Sequence, residues 1–170
     1  MTTTATLTRE RTDLLETLAA HRGFLRKTAE GLTDEQGRLT PTASVLQVGG
    51  LIKHVTAQEA GWARFIVEGP KALDFSPEAI AAYENEFRLL ESETLAELLA
   101  AYEKVAAATD ELVRTVDLDE DHALPEAPWF QAGARWSHRR TITHIIAETA
   151  QHAGHADIIR ETIDGQKTMG

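Results

Sequence analysis

The histidines of this chain cluster where they can do chemistry. The segment His144-Ile-Ile-Ala-Glu148-Thr-Ala-Gln-His152-Ala-Gly-His155 sets out three imidazoles and a carboxylate at helical spacing. At about 100° per residue, Glu148, His152 and His155 fall within an arc of about 60°, and His144 sits one turn earlier on the same stripe. Imidazole and carboxylate carry the lone pairs that a divalent ion needs, and residues one turn apart converge on a point. A plainer account exists: helix C-termini favour histidine, and a buried neutral ring can simply hydrogen-bond a neighbour. Spacing alone leaves both open. A second source of imidazole is Val48-Gly-Gly-Leu-Ile-Lys-His54-Val, where Gly50 and Gly61 lie near the His54 stripe. Those small residues either leave room for a pocket or let two helices approach closely. A single histidine on an apolar face is also more often core than ligand.

Such a site needs helices to hold it, and the apolar residues recur at helical spacing along most of the chain. The first helix is expected from Leu7 or Arg9 to Glu30, with Gly31 ending it. Thr33 and Gln36 have capping-box spacing, which predicts a short helical turn before Pro41. A second long helix opens near Ser44 as N-cap and runs to about Val67, stopped by Gly69-Pro70. Pro77 to Leu90 reads as a short helix within a crossover linker. The third long helix begins at Thr94, boxed with Glu97, and reaches about Val116. An acidic, then Pro- and Trp-containing loop leads to Ser137, which caps a last helix ending at Ile163 and Gly165. The expected fold is all-α: one domain over residues 1–170, an antiparallel four-helix bundle with a long crossover between helices 2 and 3.

Composition narrows the function. The 170 residues carry a formal charge of −10, which disfavours a polyanionic partner and argues against nucleic acid. The basic cluster Arg135, His138, Arg139 and Arg140 reads as a solvated helix start ahead of an anion site. There is no cysteine, so disulfides and thiolate metal sites are excluded, and any thiol chemistry needs a thiol from outside. The opening MTTTATLTRE lacks the apolar stretch of a signal peptide. No run of 18 or more apolar residues exists to span a bilayer. The expectation is a cytoplasmic protein without membrane partners.

Together these motifs resemble the DinB/YfiT-like metal-binding bundles, nearest to an uncharacterised branch related to the mycothiol-dependent maleylpyruvate isomerase. The resemblance rests on Val48 to Val55 with Glu59 and Trp62, on Arg135-Trp136, and on His144 to Glu161. It implies a bundle, often dimeric, holding a metal on one histidine of the second helix and two residues of the last. Carried across by motif, these are His54, Glu148 and His152. Many relatives have His in place of Glu148, while the isomerase-like branch uses Glu. His155 stands where many have Gln. A proton-handling or ligand-supporting role is preferred for it over ligation, and His144 is read as structural.

Three protein ligands leave an open coordination position, the arrangement of a catalytic ion. Zinc and nickel both accept such N/O donors. The resemblance points to a transferase or isomerase that uses a low-molecular-weight thiol such as mycothiol on a small-molecule substrate, with His155 as the proton carrier. A homodimer is expected. Trp62, Trp129 and Trp136 either wall a pocket or pack the core. Two other readings stand: a metal-dependent hydrolase, and a non-catalytic bundle with a structural metal serving stress response or interaction. Asp157, Arg160 and Glu161 are expected at the surface or an interface.

Overall fold

The computed structural model describes residues 7–168, so the first six residues of the opening segment lie outside it. Among the described residues helix accounts for 66% and strand for 4%, which makes the fold all-α. In chain order the elements are α1 (Arg9–Ala29), α2 (Asp34–Gly37), α3 (Val48–Glu68), a 3-10 turn (Gly69–Ala72), α4 (Pro77–Glu86), α5 (Leu95–Thr115), β1 (Asp121–Ala123), β2 (Arg135–Ser137) and α6 (His138–Asp164). Helix α1 packs chiefly on α6, and α3 packs on both α5 and α6.

Side chains set most helix ends. Thr33 and Thr94 each accept from the backbone N–H three residues on, while Gln36 and Glu97 reach back to close two capping boxes. Ser137 caps α6, and Gly165 ends it with a left-handed φ of 78°. Helix α3 departs from expectation. Its N-cap is Gln47; the Ser44 hydroxyl accepts from Leu46 N–H instead, a local turn that uses up the capping oxygen. Nor does periodicity foresee the short antiparallel pairing of Asp121 with Ser137, His122 with Trp136 and Ala123 with Arg135.

Arginines satisfy the C-terminal carbonyls that helices leave without partners. Arg11 donates to Val113 and Val116 at 2.5 and 2.7 Å at the end of α5. Arg160 donates to Thr28 and Glu30 at 2.9 and 2.7 Å at the end of α1. Arg160 is therefore buried within the chain, where a surface or interface position was expected. The basic cluster at the start of α6 is engaged as well: Arg135 pairs with Asp121, Arg139 with Glu10 and Asp119, and Arg140 lies over the Trp136 ring.

The buried apolar residues fall into two clusters. One gathers Leu25, Leu51, Ile52, Val55, Tyr102 and Ala153; the other gathers Leu18, Trp62, Phe65, Val113, Ile142 and Ile145. In the sequence of every long helix, a buried polar residue lies between its members of the two clusters: Arg22 in α1, Glu59 in α3, Thr109 in α5 and Thr149 in α6. Arg22 forks onto Glu59 and also donates to Asp110 at 2.7 Å. Along each long helix a buried polar residue thus divides one apolar cluster from the other.

Candidate metal centre

His54 lies in the second turn of α3 and is 1% exposed. What surrounds it is set by the two glycines before it. A Cβ at Gly50 would stand 1.9 Å from the Phe87 carbonyl oxygen, and one at Gly49 2.7 Å from the Leu89 side chain. Only glycine admits the linker at these positions, so the chain after α4 lies directly on α3. Gln47 accepts from Leu89 N–H at 2.8 Å, and Lys53 pairs with Glu93 at 2.7 Å. The linker is thus stapled along the first turns of α3.

From there α4 and its C-cap reach the imidazole. Phe87 stacks on the ring at 4.1 Å between centroids, and Tyr83 meets it edge-on at 5.3 Å. The Glu86 carboxylate oxygen Oε2 lies within hydrogen-bond distance of His54 Nδ1, at 3.1 Å. Glu86 went unnoticed in the sequence, where it is one acid among several in a short helix.

Helix α6 supplies the other half. Glu148 and His152, one turn apart, face His54, and the His152 ring meets that of His54 edge-on at 4.8 Å. One ligand atom from each of His54, Glu148 and His152 lies within 4.8 Å of the other two. His152 Nε2 is 3.5 Å from Glu148 Oε2. That hydrogen bond holds the Glu148 carboxyl below its usual range, opposing burial, with His144 and His152 adding to the effect. An ionised carboxylate beside two imidazoles is a hard-to-borderline N/O donor set, suited to zinc or nickel.

The other candidates occupy distinct places. His155 is outside the converging group, with its Nδ1 3.5 Å from His152 Nδ1. His144 meets the Trp62 and Trp136 rings edge-on at 4.8 and 5.0 Å, and burial lowers its pKa. Trp62 and Trp136 stack on each other, so these two line the neighbourhood of Glu148 through His144. Trp129 does not join them: it is 60% exposed and packs against Phe75. Gly61 has open space where its Cβ would stand and faces no pocket wall.

A family model for mycothiol-S-transferases matches residues 13–165. The chain belongs to that family. It is a DinB/YfiT-like family, as the motifs around His54 and His152 had suggested. Among solved structures, a conserved protein of Enterococcus faecalis aligns with a TM-score of 0.65 at 14% identity, over 95% of this chain and 100% of that one. At such identity the likeness concerns the fold alone. No curated protein matches. Among the described residues, no helix is long and apolar enough to cross a membrane.

Proposed function

We propose that this member of the mycothiol-S-transferase family binds one divalent ion, zinc or nickel, through His54, Glu148 and His152. It would use the ion in a transferase or isomerase reaction of a low-molecular-weight thiol such as mycothiol with a small electrophile. The observation that carries the reading is the meeting of three ligand atoms from two helices within 4.8 Å. Family membership supplies the thiol, and the absence of cysteine means the nucleophilic sulfur comes with the substrate.

A bound divalent ion supplies Lewis acidity, which lowers the pKa of a thiol toward neutrality. The protein's part is to hold three donors in place and to handle a proton. The neighbouring His152 holds the Glu148 carboxyl below its usual range, which favours its carboxylate form. Phe87 and Tyr83 shield the His54 ring from water. His155, beside His152, would carry the thiol proton away, and Trp62 and Trp136 back the Glu148 side of the site through His144.

The scaffold belongs to the same proposal. We read residues 1–170 as one domain, a four-helix bundle with two helices running each way. The two core clusters support this, since α1 and α6 pass from the second to the first while α3 and α5 pass from the first to the second. Parallel α3 and α5 require a long crossover, the role given to the segment carrying α4. A homodimer and a cytoplasmic setting, where small thiols stay reduced, complete the reading.

The test is metal analysis of wild-type protein beside His54→Ala. About one ion per wild-type chain and almost none in the variant is expected; equal content would make His54 an ordinary core residue. Turnover that requires an added thiol separates a transferase or isomerase from a hydrolase, which would turn over with water alone. A His152→Ala variant that stays folded but loses turnover argues against a purely structural ion.

A further inference from the structure

We propose that Glu86 is a positioning residue for His54: its carboxylate fixes the ring as the Nδ1–H tautomer, so that Nε2 is the lone pair offered toward Glu148 and His152. This deepens the metal-centre reading above and rests on it for its functional meaning, but not for its geometry.

The tautomer follows from the contact. Glu86 Oε2 lies 3.1 Å from His54 Nδ1. An ionised carboxylate only accepts, so the ring nitrogen facing it must donate. Among the described residues the ring makes no second hydrogen bond. A neutral imidazole with its proton on Nδ1 keeps Nε2 bare, which is the form a metal takes. Without Glu86 the Nδ1 proton would have no partner in a side chain that is 1% exposed, and the wrong tautomer would put a proton where an ion must bind.

The orientation is held by the same segment. Phe87 covers one face of the ring and Tyr83 meets it edge-on, so both rotation and tautomer of His54 are governed from α4 and its cap. That segment is anchored to α3 by contacts that involve no ligand: the bare Cα atoms of Gly49 and Gly50, Gln47 on Leu89 N–H, and Lys53 on Glu93. Glu86 is not one of the three residues whose ligand atoms converge. Its carboxylate acts through the imidazole. A carboxylate behind a ligating histidine raises its basicity and fixes its orientation, and loss of such a partner typically costs 10–100-fold in metal affinity.

The experiment has two independent readouts on wild type, Glu86→Ala and Glu86→Gln. The first is the tautomer of His54 in metal-free, 15N-labelled protein at pH 8, from long-range proton–nitrogen spectra assigned with His54→Gln. Wild type should show the Nδ1–H form, Glu86→Ala a mixture, and Glu86→Gln, which keeps an acceptor oxygen, mostly Nδ1–H. The second is Zn2+ affinity by chelator competition, where Glu86→Ala should bind roughly 10–100-fold more weakly than wild type and Glu86→Gln should recover most of the loss. A wild-type ring in the Nε2–H form, or a Glu86→Ala variant unchanged in tautomer and affinity, overturns the proposal. If wild type binds no Zn2+ while the tautomer still responds to Glu86→Ala, the metal centre is refuted and the hold of Glu86 on His54 stands.

Discussion

Two glycines of one helix, eleven residues apart, should respond in opposite directions to the same substitution. At Gly50 an added methyl would sit 1.9 Å from the Phe87 carbonyl oxygen, 2.2 Å from its carbon and 2.8 Å from Arg88 N. Real Cβ contacts essentially never fall below 3.0 Å, so the linker backbone must retreat by more than an ångström. Alanine favours helix over glycine by about 0.8–1 kcal/mol, but forcing groups apart in a packed interior costs about 1–3 kcal/mol and more when backbone must move. Gly50→Ala should therefore lose about 1–3 kcal/mol net. At Gly61 no atom lies within 4 Å of the new methyl, so only the propensity gain remains, and Gly61→Ala should gain up to about 1 kcal/mol. For a chain of this length, 1 kcal/mol moves the melting temperature by about 2–4 °C. Calorimetry or circular dichroism on the metal-free proteins should show Gly50→Ala melting several degrees below wild type and Gly61→Ala a few degrees above. The displaced linker carries Glu86 and Phe87, so Gly50→Ala should also bind Zn2+ more weakly. A Gly50→Ala protein as stable as Gly61→Ala would refute the close approach of linker and helix.

Two further outcomes can be checked on the purified protein. Removing Glu59 strands the Arg22 guanidinium, 3% exposed, with Asp110 as its one remaining carboxylate partner; breaking such a buried pair costs about 3–5 kcal/mol, so urea titration of Glu59→Ala should show a large loss, and a midpoint matching wild type would contradict it. The Glu148 carboxyl is depressed in the folded protein, chiefly by its hydrogen bond with His152, so its stabilising contribution is present above the ordinary carboxylate range and fades as pH falls through the folded value. The stability difference between metal-free wild type and Glu148→Gln should accordingly be largest near neutral pH and shrink below about pH 4, and a pH-independent difference would argue against the interaction.

The helix ends were legible where a single residue does the capping: Thr94 with Glu97, Ser137 and Gly165 sit where their local chemistry requires. Ser44 misled because its hydroxyl prefers a nearer N–H, leaving Gln47 to open α3. The strand pairing escaped because three residues are too few to show alternation. The stripe of Glu148 and His152 could be drawn from periodicity, but its meeting with His54 is a tertiary fact that only the family likeness anticipated. Arg160 and Glu86 were illegible for a related reason. The carbonyls that bury Arg160 lie about 130 residues away, and Glu86 acquires meaning only from the linker's path over Gly49 and Gly50.

The Arg22–Glu59 pair also fixes how the helices can slide. A one-turn shift of α1 along α3, about 5.4 Å, would carry the guanidinium away from its acceptor and toward apolar stretches of α3 around Val55 or Trp62. Hydrocarbon alone tolerates such slippage, since one leucine resembles the next; an ion buried among leucines does not. The same vernier fixes where α3 stands, and with it the depth of His54, so a charge five residues away sets the ruler against which the three donors are aligned.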